Sequence, residues 1–395
     1  MRRLNALISL EIYALVLTAV QLIGGVRTDE AKYLLNIPYP HPPLVRTLLS
    51  WTEFLPFQEC LWRFLFASLL AQAVWLVWDL GRGLGRRERM FLSACWLLAS
   101  GVLLQAGGIY LVCFTALQAL CFLWLVARMP STGKYAGWVA LLWLASLFTA
   151  YQAALFLPLV CAYFLRAKIS WEERIAYVCL PPLLLILYSL SNPLSIASMF
   201  IHGGRDLNSS IPMRALGTLR VWMLGGSLLL SIAGTIGIFW SKRWELILSF
   251  LLVSAYVALS RYDYYMVLFT PFFIVGLAVL LKNRALPKVI INAGIPLLVI
   301  ATIITVFFFP PILKRDPSRA VMRSIASERR GDEVLIAGSF GHQWQYESTL
   351  PVRSYSPNWL PHARAVICLQ PCGDMAMHEG WVRKEESGVE VWGRE

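Results

Sequence analysis

Residues 28–44 read TDEAKYLLNIPYPHPPL and directly follow the first long apolar segment of the chain. Two adjacent carboxylates, Asp29 and Glu30, therefore lie beside a membrane, where an ionisable group costs free energy and usually has a function. Three prolines among the four positions 40–43 fix the backbone around His41. The stretch predicts a rigid polar site at the end of a membrane span.

The composition is that of a polytopic membrane protein. Of 395 residues, 58% are hydrophobic and only 15% are charged, whereas soluble proteins carry about 25% charged residues. Because a membrane-spanning helix needs about 20 apolar residues, we predict an α-helical polytopic membrane protein with about 11 transmembrane helices. The predicted spans are 5–25, 61–80, 90–106, 109–127, 136–150, 151–166, 175–191, 217–240, 245–260, 264–281 and 289–309.

The basic residues indicate which loops lie in the cytoplasm. The net charge of +12 is distributed in short clusters between apolar segments, which orients a membrane protein and argues against nucleic-acid binding. Every even-numbered span is followed by such a cluster, so residues 26–60, 191–216, 260–264 and the tail lie on the opposite side. This predicts a multi-pass protein of a bacterial-type inner (plasma) membrane, embedded in the lipid bilayer, with an extracytoplasmic C-terminus.

The tail of the chain differs sharply in composition from the apolar part. A helix that starts at Asp316-Pro317-Ser318 and runs to Arg330 is predicted, with Ser318 or Asp316 as its cap. Strands are predicted over 333–337, 365–369 and 389–392. We therefore predict two domains, a transmembrane domain over 1–310 and a small extracytoplasmic α/β domain over 311–395. An oxidising compartment would permit a disulfide between Cys368 and Cys372, and the sequence leaves that pairing open.

The polar residues of the first loop admit two interpretations each. Asp29 and Glu30 are either first-turn acids of a helix capped by Thr28, or a catalytic pair in which a carboxylate accepts the proton of a hydroxyl or amine. His41 is either a surface residue of a rigid turn or a ligand of a carboxylate, a phosphate or the acceptor. Residues 44–57 place leucines on one helical face and predict a helix, which either lies in the outer interface or is a plain connector.

The order of these residues resembles a known family. A first outer loop with Asp-Glu-Ala-x-Tyr at 29–33 and His-Pro-Pro-Leu at 41–44 is similar to that of the GT-C superfamily of glycosyltransferases. Within it, the resemblance is to the glycosyltransferase 39-like group, which includes protein O-mannosyltransferases and the bacterial aminoarabinose transferase of lipid A. The resemblance covers about residues 1–310.

Three further positions agree with this family. Arg63, at the start of the second span, resembles an arginine often seen there. Tyr151 resembles a Lys-Tyr step that opens a later span, with Ala150 where lysine is usual. Tyr265 begins the stretch YMVLFTP, which resembles a tyrosine- and proline-containing stretch near the last spans of the family.

The resemblance implies an enzyme that transfers a sugar from a polyprenyl-phosphate-linked donor to a glycan, lipid or protein acceptor. The transfer takes place at the outer face of the inner membrane and inverts the configuration at the anomeric carbon. Asp29 matches the catalytic base, and Glu30 matches the second member of the pair. A guanidinium suits the phosphate that leaves with the lipid, because it neutralises developing charge and binds phosphate in a bidentate manner. The candidate substrate-binding residues are His41, Tyr33, Arg63, Arg205, Arg261 and Tyr265.

The sequence also leaves alternatives open. The second outer turn, QAGGI at 105–109, contains no acid, although many relatives have one there. A transporter or flippase of lipid-linked sugars would show broken helices or ionisable residues near mid-membrane. A catalytically inactive membrane scaffold of the same fold is a third interpretation. The cofactor is unknown, since Asp29 and Glu30 could hold a divalent metal but no ligand motif indicates one.

Overall fold

The structure is a computed structural model of the whole chain. It describes residues 2–38, 41–128, 133–193, 211–260, 263–283, 288–308, 318–329, 332–337, 341–348, 351–369, 372, 375 and 378–394.

Helices occupy every apolar segment in which a span is predicted, some of them as two consecutive pieces. The α-helices are α1 Arg2–Gly24, α2 Thr28–Leu34, α3 Leu44–Ser50, α4 Gln58–Gln72, α5 Val74–Leu80, α6 Arg86–Leu97, α7 Ser100–Gln105, α8 Leu111–Arg128, α9 Ala136–Thr149, α10 Leu157–Arg166, α11 Trp171–Ser191, α12 Ile211–Trp240, α13 Trp244–Ser260, α14 Thr270–Lys282, α15 Lys288–Phe308, α16 Arg319–Ser327 and α17 His342–Ser348. Three 3₁₀-helices cover Tyr151–Phe156, Asp263–Leu268 and Pro357–His362.

Six of the helices in the described residues are long and apolar enough to cross a membrane. They are Leu4–Gly24, Gln58–Leu80, Leu111–Arg128, Trp171–Ser191, Ile211–Trp240 and Asp263–Lys282. Four apolar helices are shorter, namely Ala136–Thr149, Tyr151–Arg166, Trp244–Ser260 and Ala293–Ile304. The chain is therefore mostly helical with several candidate spans, and the number of about 11 spans stays a prediction.

Glycines allow α12 and α14 to pack backbone to backbone. A Cβ built at Gly237 would lie 1.9 Å from the carbonyl oxygen of Gly276, and one built at Gly276 would lie 1.9 Å from that of Gly234. Real Cβ atoms do not approach this closely. Within a bilayer, where association depends on packing more than on the hydrophobic effect, such small residues let helices approach closely.

Helix α12 is broken at Ser227, which has φ 63° and ψ 155°. The Ser227 hydroxyl lies 3.1 Å from both the Ser100 and the Thr302 hydroxyls. The Thr270 hydroxyl donates to the carbonyl oxygen of Gly225 at 2.6 Å. Hydroxyls from three other helices therefore hydrogen-bond the polar groups at this break, as apolar surroundings require.

The apolar helix α1 carries one carboxylate near its middle. Glu11 accepts hydrogen bonds from the Ser68 hydroxyl at 2.9 and 3.0 Å and from the Gln72 amide at 2.6 Å. A charged group in an apolar helix is therefore held by donors of a neighbouring helix.

The tail forms a small five-stranded mixed sheet in the order β2-β1-β3-β5-β4. The strands are β1 Val334–Ala337, β2 Val352–Ser354, β3 Ala365–Cys368, β4 Trp381–Glu386 and β5 Val389–Arg394. β1 pairs in parallel with β2 and β3, whereas β5 pairs antiparallel with β3 and β4. The three strands expected from the sequence are the central ones. The two edge strands were missed because one has three residues and the other is mostly exposed and charged.

A disulfide joins Cys368 and Cys372, whose Cα atoms are 5.8 Å apart, an ordinary separation.

The predicted helix over 44–57 ends at Ser50 and is followed by turns. The carbonyl oxygen of Leu49 there accepts from the Gln58 amide at 2.7 Å, so the chain folds back instead of continuing as a helix.

The chain divides into two compact units. Unit 1 comprises Met1–Leu17, Tyr39–Leu48 and Trp62–Ile312, and unit 2 comprises Thr18–Pro38, Leu49–Leu61 and Leu313–Glu395. Unit 2 therefore contains α2 as well as the tail sheet. The division of the chain into domains 1–310 and 311–395 stays a prediction.

Gly276→Ala is expected to destabilise the protein, because the added methyl would overlap the Gly234 carbonyl oxygen. Overpacking of this kind costs about 1–3 kcal/mol, and the thermal unfolding midpoint in detergent should fall accordingly. Gly137→Ala is the matched control, since a Cβ at Gly137 of α9 meets nothing within 4 Å. If both variants unfold at the wild-type temperature, the contact between α12 and α14 does not require glycine at position 276.

Candidate active site

The candidate residues fall in both compact units, and each group is described within its own unit. Asp29, Glu30 and Tyr33 belong to unit 2, whereas His41, Arg63 and Tyr265 belong to unit 1. Arg205 and Arg261 lie outside the described residues, so their roles stay predictions.

Helix α2 separates its two acids by burial and by bonding. The backbone N–H of Arg27, the N-cap residue, donates to Glu30 Oε2 at 2.7 Å, and Glu30 is fully buried. Asp29 keeps 27% of its side chain exposed and lies 3.4 Å from Lys32 Nζ, one turn along the helix. Glu30 thus performs the capping function that the sequence offered to Thr28, while Asp29 remains reachable from solvent.

This arrangement suits Asp29 better than Glu30 for accepting a proton. A base must reach its substrate, and a fully buried carboxylate that caps the helix cannot do so without breaking the cap. Tyr33, on the same helix, is 6% exposed, and its role in substrate binding stays a prediction.

His342 is a titratable residue of this region that the sequence gave no reason to select. It opens α17, which packs against α2 within unit 2. Burial lowers the pKa of His342 below its usual value, and the charge of Lys32 lowers it further, while a hydrogen bond with Gln345 and the charge of Asp29 act in the opposite direction. No regular spacing links position 342 to position 29, so only the fold could reveal this proximity.

A buried ion cluster lies in the same unit, and we call it the Arg319 cluster. The Arg319 guanidinium pairs with Glu59 at 2.6 Å and with Glu347 at 2.8 Å. The Tyr346 hydroxyl donates to Glu59 at 3.4 Å. Burial opposes the charge of Arg319, but the hydrogen bonds and charges of Glu59 and Glu347 outweigh it and raise its pKa.

In unit 1, Arg63 is fully buried and donates from Nη1 to the carbonyl oxygen of Gly107 at 2.9 Å. This places the arginine against the second outer turn, the one that contains no acid. Gln105, in the same turn, is also fully buried. Within the part of the chain that the structure describes, neither polar atom of the Gln105 amide has a hydrogen-bond partner. A buried amide without a partner is unusual in proteins.

Tyr265 is the centre of a tyrosine cluster, which we define as Tyr110, Tyr256, Tyr264 and Tyr265 with Gln152. The Tyr265 hydroxyl accepts from Tyr256 at 2.8 Å and from the Gln152 amide at 3.3 Å. The ring of Tyr264 stacks on Tyr110 with centroids 5.6 Å apart and planes 2° apart. Aromatic faces and phenolic hydroxyls in one place are suited to a sugar ring, which has apolar faces and polar edges.

Two further contacts concern predicted residues or their neighbours. The ring of His41 lies 6.2 Å from that of Tyr151, a separation typical of a tilted aromatic pair. Asp263, two residues after the predicted site residue Arg261, pairs with Arg220 at 2.7 Å. Arg220 lies in an apolar helix and carries no motif, so the sequence did not select it.

No group of three or more His, Cys, Asp and Glu side chains suited to a metal occurs among the residues that the structure describes. The described residues therefore offer no basis for assigning a metal to Asp29 and Glu30.

The fold is shared with solved structures of ArnT from Cupriavidus metallidurans. The apo crystal structure matches with a TM-score of 0.63 and 13% identity, over 100% of this chain and 98% of that chain. The crystal structure bound to undecaprenyl phosphate matches with a TM-score of 0.60 and 14% identity, over 96% of each chain. No family model and no curated protein matches the chain.

The comparison confirms the expected fold. The chain shares the fold of ArnT over its whole length, which agrees with the fold that the first-loop resemblance implies. The chain is an integral membrane protein of this helical fold with a small C-terminal sheet. The roles of individual residues, the kind of membrane and the side on which the C-terminus lies stay predictions.

Acidification is expected to weaken the packing around His342. Because its folded-state pKa lies below the ordinary value of 6.5, the unfolded state binds the proton more readily, and stability falls as the pH drops below about 6.5. His342→Gln should flatten this acid-side fall in the unfolding midpoint. The exposed His378→Gln should leave it unchanged, and an equal slope in all three proteins would contradict the assignment.

Proposed function

We propose that this chain is an inverting glycosyltransferase that moves a sugar from a polyprenyl-phosphate donor to an acceptor at the outer face of the membrane. The observation that carries the proposal is the state of Asp29, a partly exposed carboxylate on a helix whose other acid is used as its cap. The fold shared with ArnT, in one case bound to undecaprenyl phosphate, supports it.

The proposed reaction is a single displacement at the anomeric carbon of the donor sugar. An acceptor hydroxyl or amine attacks this carbon, and its proton passes to a carboxylate oxygen of Asp29. The bond between the anomeric carbon and the phosphate oxygen breaks, and the polyprenyl phosphate leaves with the electron pair. Attack from the face opposite the phosphate inverts the configuration.

The other candidate residues take supporting roles in this proposal. Glu30 holds the start of α2, so that Asp29 keeps one position. Arg63, together with Arg205 and Arg261, is proposed to neutralise the phosphate, because cations stabilise charge that develops on a leaving group. Tyr265 and its cluster are proposed to contact the sugar, and His41 and Tyr33 the acceptor or the phosphate.

A transporter or flippase of lipid-linked sugars is the second candidate. Two observations favour it, the break of α12 at Ser227 and the carboxylate of Glu11 within α1, because transporters use broken helices and intramembrane ionisable groups. Both features have hydrogen-bond partners within the protein, which is also what a purely structural role requires. We therefore keep transport as the alternative.

Asp29→Asn is expected to reduce sugar transfer by about 10²–10⁴-fold, the usual contribution of a positioned base. The assay uses purified protein in proteoliposomes with a radiolabelled polyprenyl-phosphate sugar, and scores transfer and donor hydrolysis. Glu53→Gln is the matched control, since Glu53 is an exposed carboxylate of the same loop.

Each other outcome of that assay has a definite meaning. Unchanged turnover in Asp29→Asn would exclude Asp29 as the base. Movement of the lipid-linked sugar between leaflets without transfer would favour the flippase. A folded wild-type protein that neither transfers nor hydrolyses any donor would contradict the proposal and favour the inactive scaffold.

Gln105→Leu tests whether the buried amide binds the donor. Leucine removes an amide without partners, so the unfolding temperature should not fall, while KM for the donor should rise roughly 10-fold or more if the amide bonds to it. Gln118→Leu is the control, because the Gln118 amide donates to the Thr149 hydroxyl at 3.0 Å. That variant should lose stability and keep its KM. An unchanged KM in Gln105→Leu would remove Gln105 from the site.

A further inference from the structure

The Arg319 guanidinium ties three separate segments of unit 2 together. Nε donates to Glu347 at 2.8 and 3.0 Å, Nη2 donates to Glu59 at 2.6 and 2.8 Å, and Nη1 donates to the carbonyl oxygen of Leu22 at 3.0 Å. These partners lie in α17, at the start of α4 and at the end of α1. One side chain from the tail therefore holds both helices that border the first loop.

Glu347 extends this connection to the start of the first-loop helix. Its Oε1 atom also accepts the backbone N–H of Val26 at 3.1 Å, and Arg323 pairs with Oε2 at 3.3 Å. Val26 immediately precedes Arg27, the N-cap residue of α2. A fully buried carboxylate of the tail thus fixes the backbone three residues before Asp29.

Gly25 shows how closely the chain approaches this cluster. Its φ of +84° lies in the left-handed region, and a Cβ there would lie 3.0 Å from Glu347 Oε1 and 3.1 Å from Arg319 Cβ. Glycine is the residue that accepts both conditions. The path from α1 to α2 is therefore shaped against the Arg319 cluster.

Helix α17 is itself held rigidly by the tail. Trp344 of this helix is fully buried in the core formed with α16, β1 and β3. α17 also packs along α2, with His342 near Lys32 and Asp29. The sheet, α17 and α2 therefore form one continuous packed connection.

We propose that Arg319 and Glu347 are positioning residues for Asp29. The tail would then contribute to catalysis by fixing the backbone that carries this carboxylate. This inference rests on the proposed function, because it names what holds the proposed base. Arg319 and Glu347 act through the backbone at Val26 and touch neither donor nor acceptor. Reactions that depend on orientation are sensitive to displacements of about 1 Å, so loosening α2 lowers kcat more than it changes donor binding.

Glu347→Gln keeps the shape of the side chain and removes its charge. We expect kcat for sugar transfer to fall at least 10-fold, with KM for the donor within about twofold of wild type. Glu386→Gln is the matched control, because Glu386 pairs with Arg329 in the same unit and both are largely buried. This variant should lose thermal stability to a similar extent and keep kcat.

A double mutant separates positioning from general damage. If Glu347 acts only through Asp29, then Glu347→Gln placed in the Asp29→Asn background should cause no further loss of kcat. A further 10-fold loss in that background would overturn the proposal. So would a loss of kcat in Glu386→Gln as large as that in Glu347→Gln.

Hydrogen exchange tests the same proposal without any turnover, so its result stands apart from the proposed function. Glu347→Gln should raise exchange of the backbone amides of residues 26–34 at least 10-fold, whereas Glu386→Gln should leave them at the wild-type rate. Gly25→Ala, which crowds the cluster and leaves every charge in place, should reproduce the effect if Glu347→Gln fails to fold. Unchanged exchange over 26–34 in a folded variant would overturn the proposal.

Discussion

The structure depends on one constraint, which is that polar groups among apolar helices must find partners inside the protein. Within each helix, the backbone N–H and carbonyl groups satisfy this requirement by bonding to one another. Where α12 breaks at Ser227, the Thr270 hydroxyl donates to the carbonyl oxygen of Gly225, and the Ser100 and Thr302 hydroxyls lie 3.1 Å from that of Ser227. Where α1 carries Glu11, Ser68 and Gln72 of α4 supply donors. Gln105, whose buried amide has no partner among the described residues, departs from this pattern, and its contact with the donor stays a proposal.

The same constraint explains the different fates of the two acids in the first loop. Both stand in the first turn of α2, and both suit the positive end of its dipole. Glu30 is long enough to reach back to the Arg27 N–H and is fully buried in doing so. Asp29 is shorter and remains partly exposed beside Lys32. The two carboxylates differ because Glu30 is the third residue of α2, the position from which a side chain reaches back to the N-cap N–H, whereas Asp29 is the second.

Much of the architecture could be predicted from local patterns. Apolar length located the helices, and alternating or continuous apolar runs located β1, β3 and β5, because these strands are buried. β2 and β4 were missed because edge strands carry weak patterns. The helix over 44–57 was predicted too long, since a tertiary hydrogen bond from Gln58 to the Leu49 carbonyl decides where the chain turns. His342, Arg319 and Glu347 were missed because they lie some 300 residues from α2 in sequence and carry no motif.

The class of protein, the helical segments and the loop that carries the acids follow from the sequence, because apolar length, charge distribution and proline content act locally. Burial depends on the tertiary structure, which encloses Glu30 completely and leaves Asp29 partly exposed. The tertiary structure also decided that the first loop is tied to the tail through Arg319 and Glu347. Those outcomes depend on burial and on contacts between distant segments, and no local pattern encodes them. Residues 28–44 thus carry the candidate site, and in our proposal the folded tail determines how Asp29 is positioned.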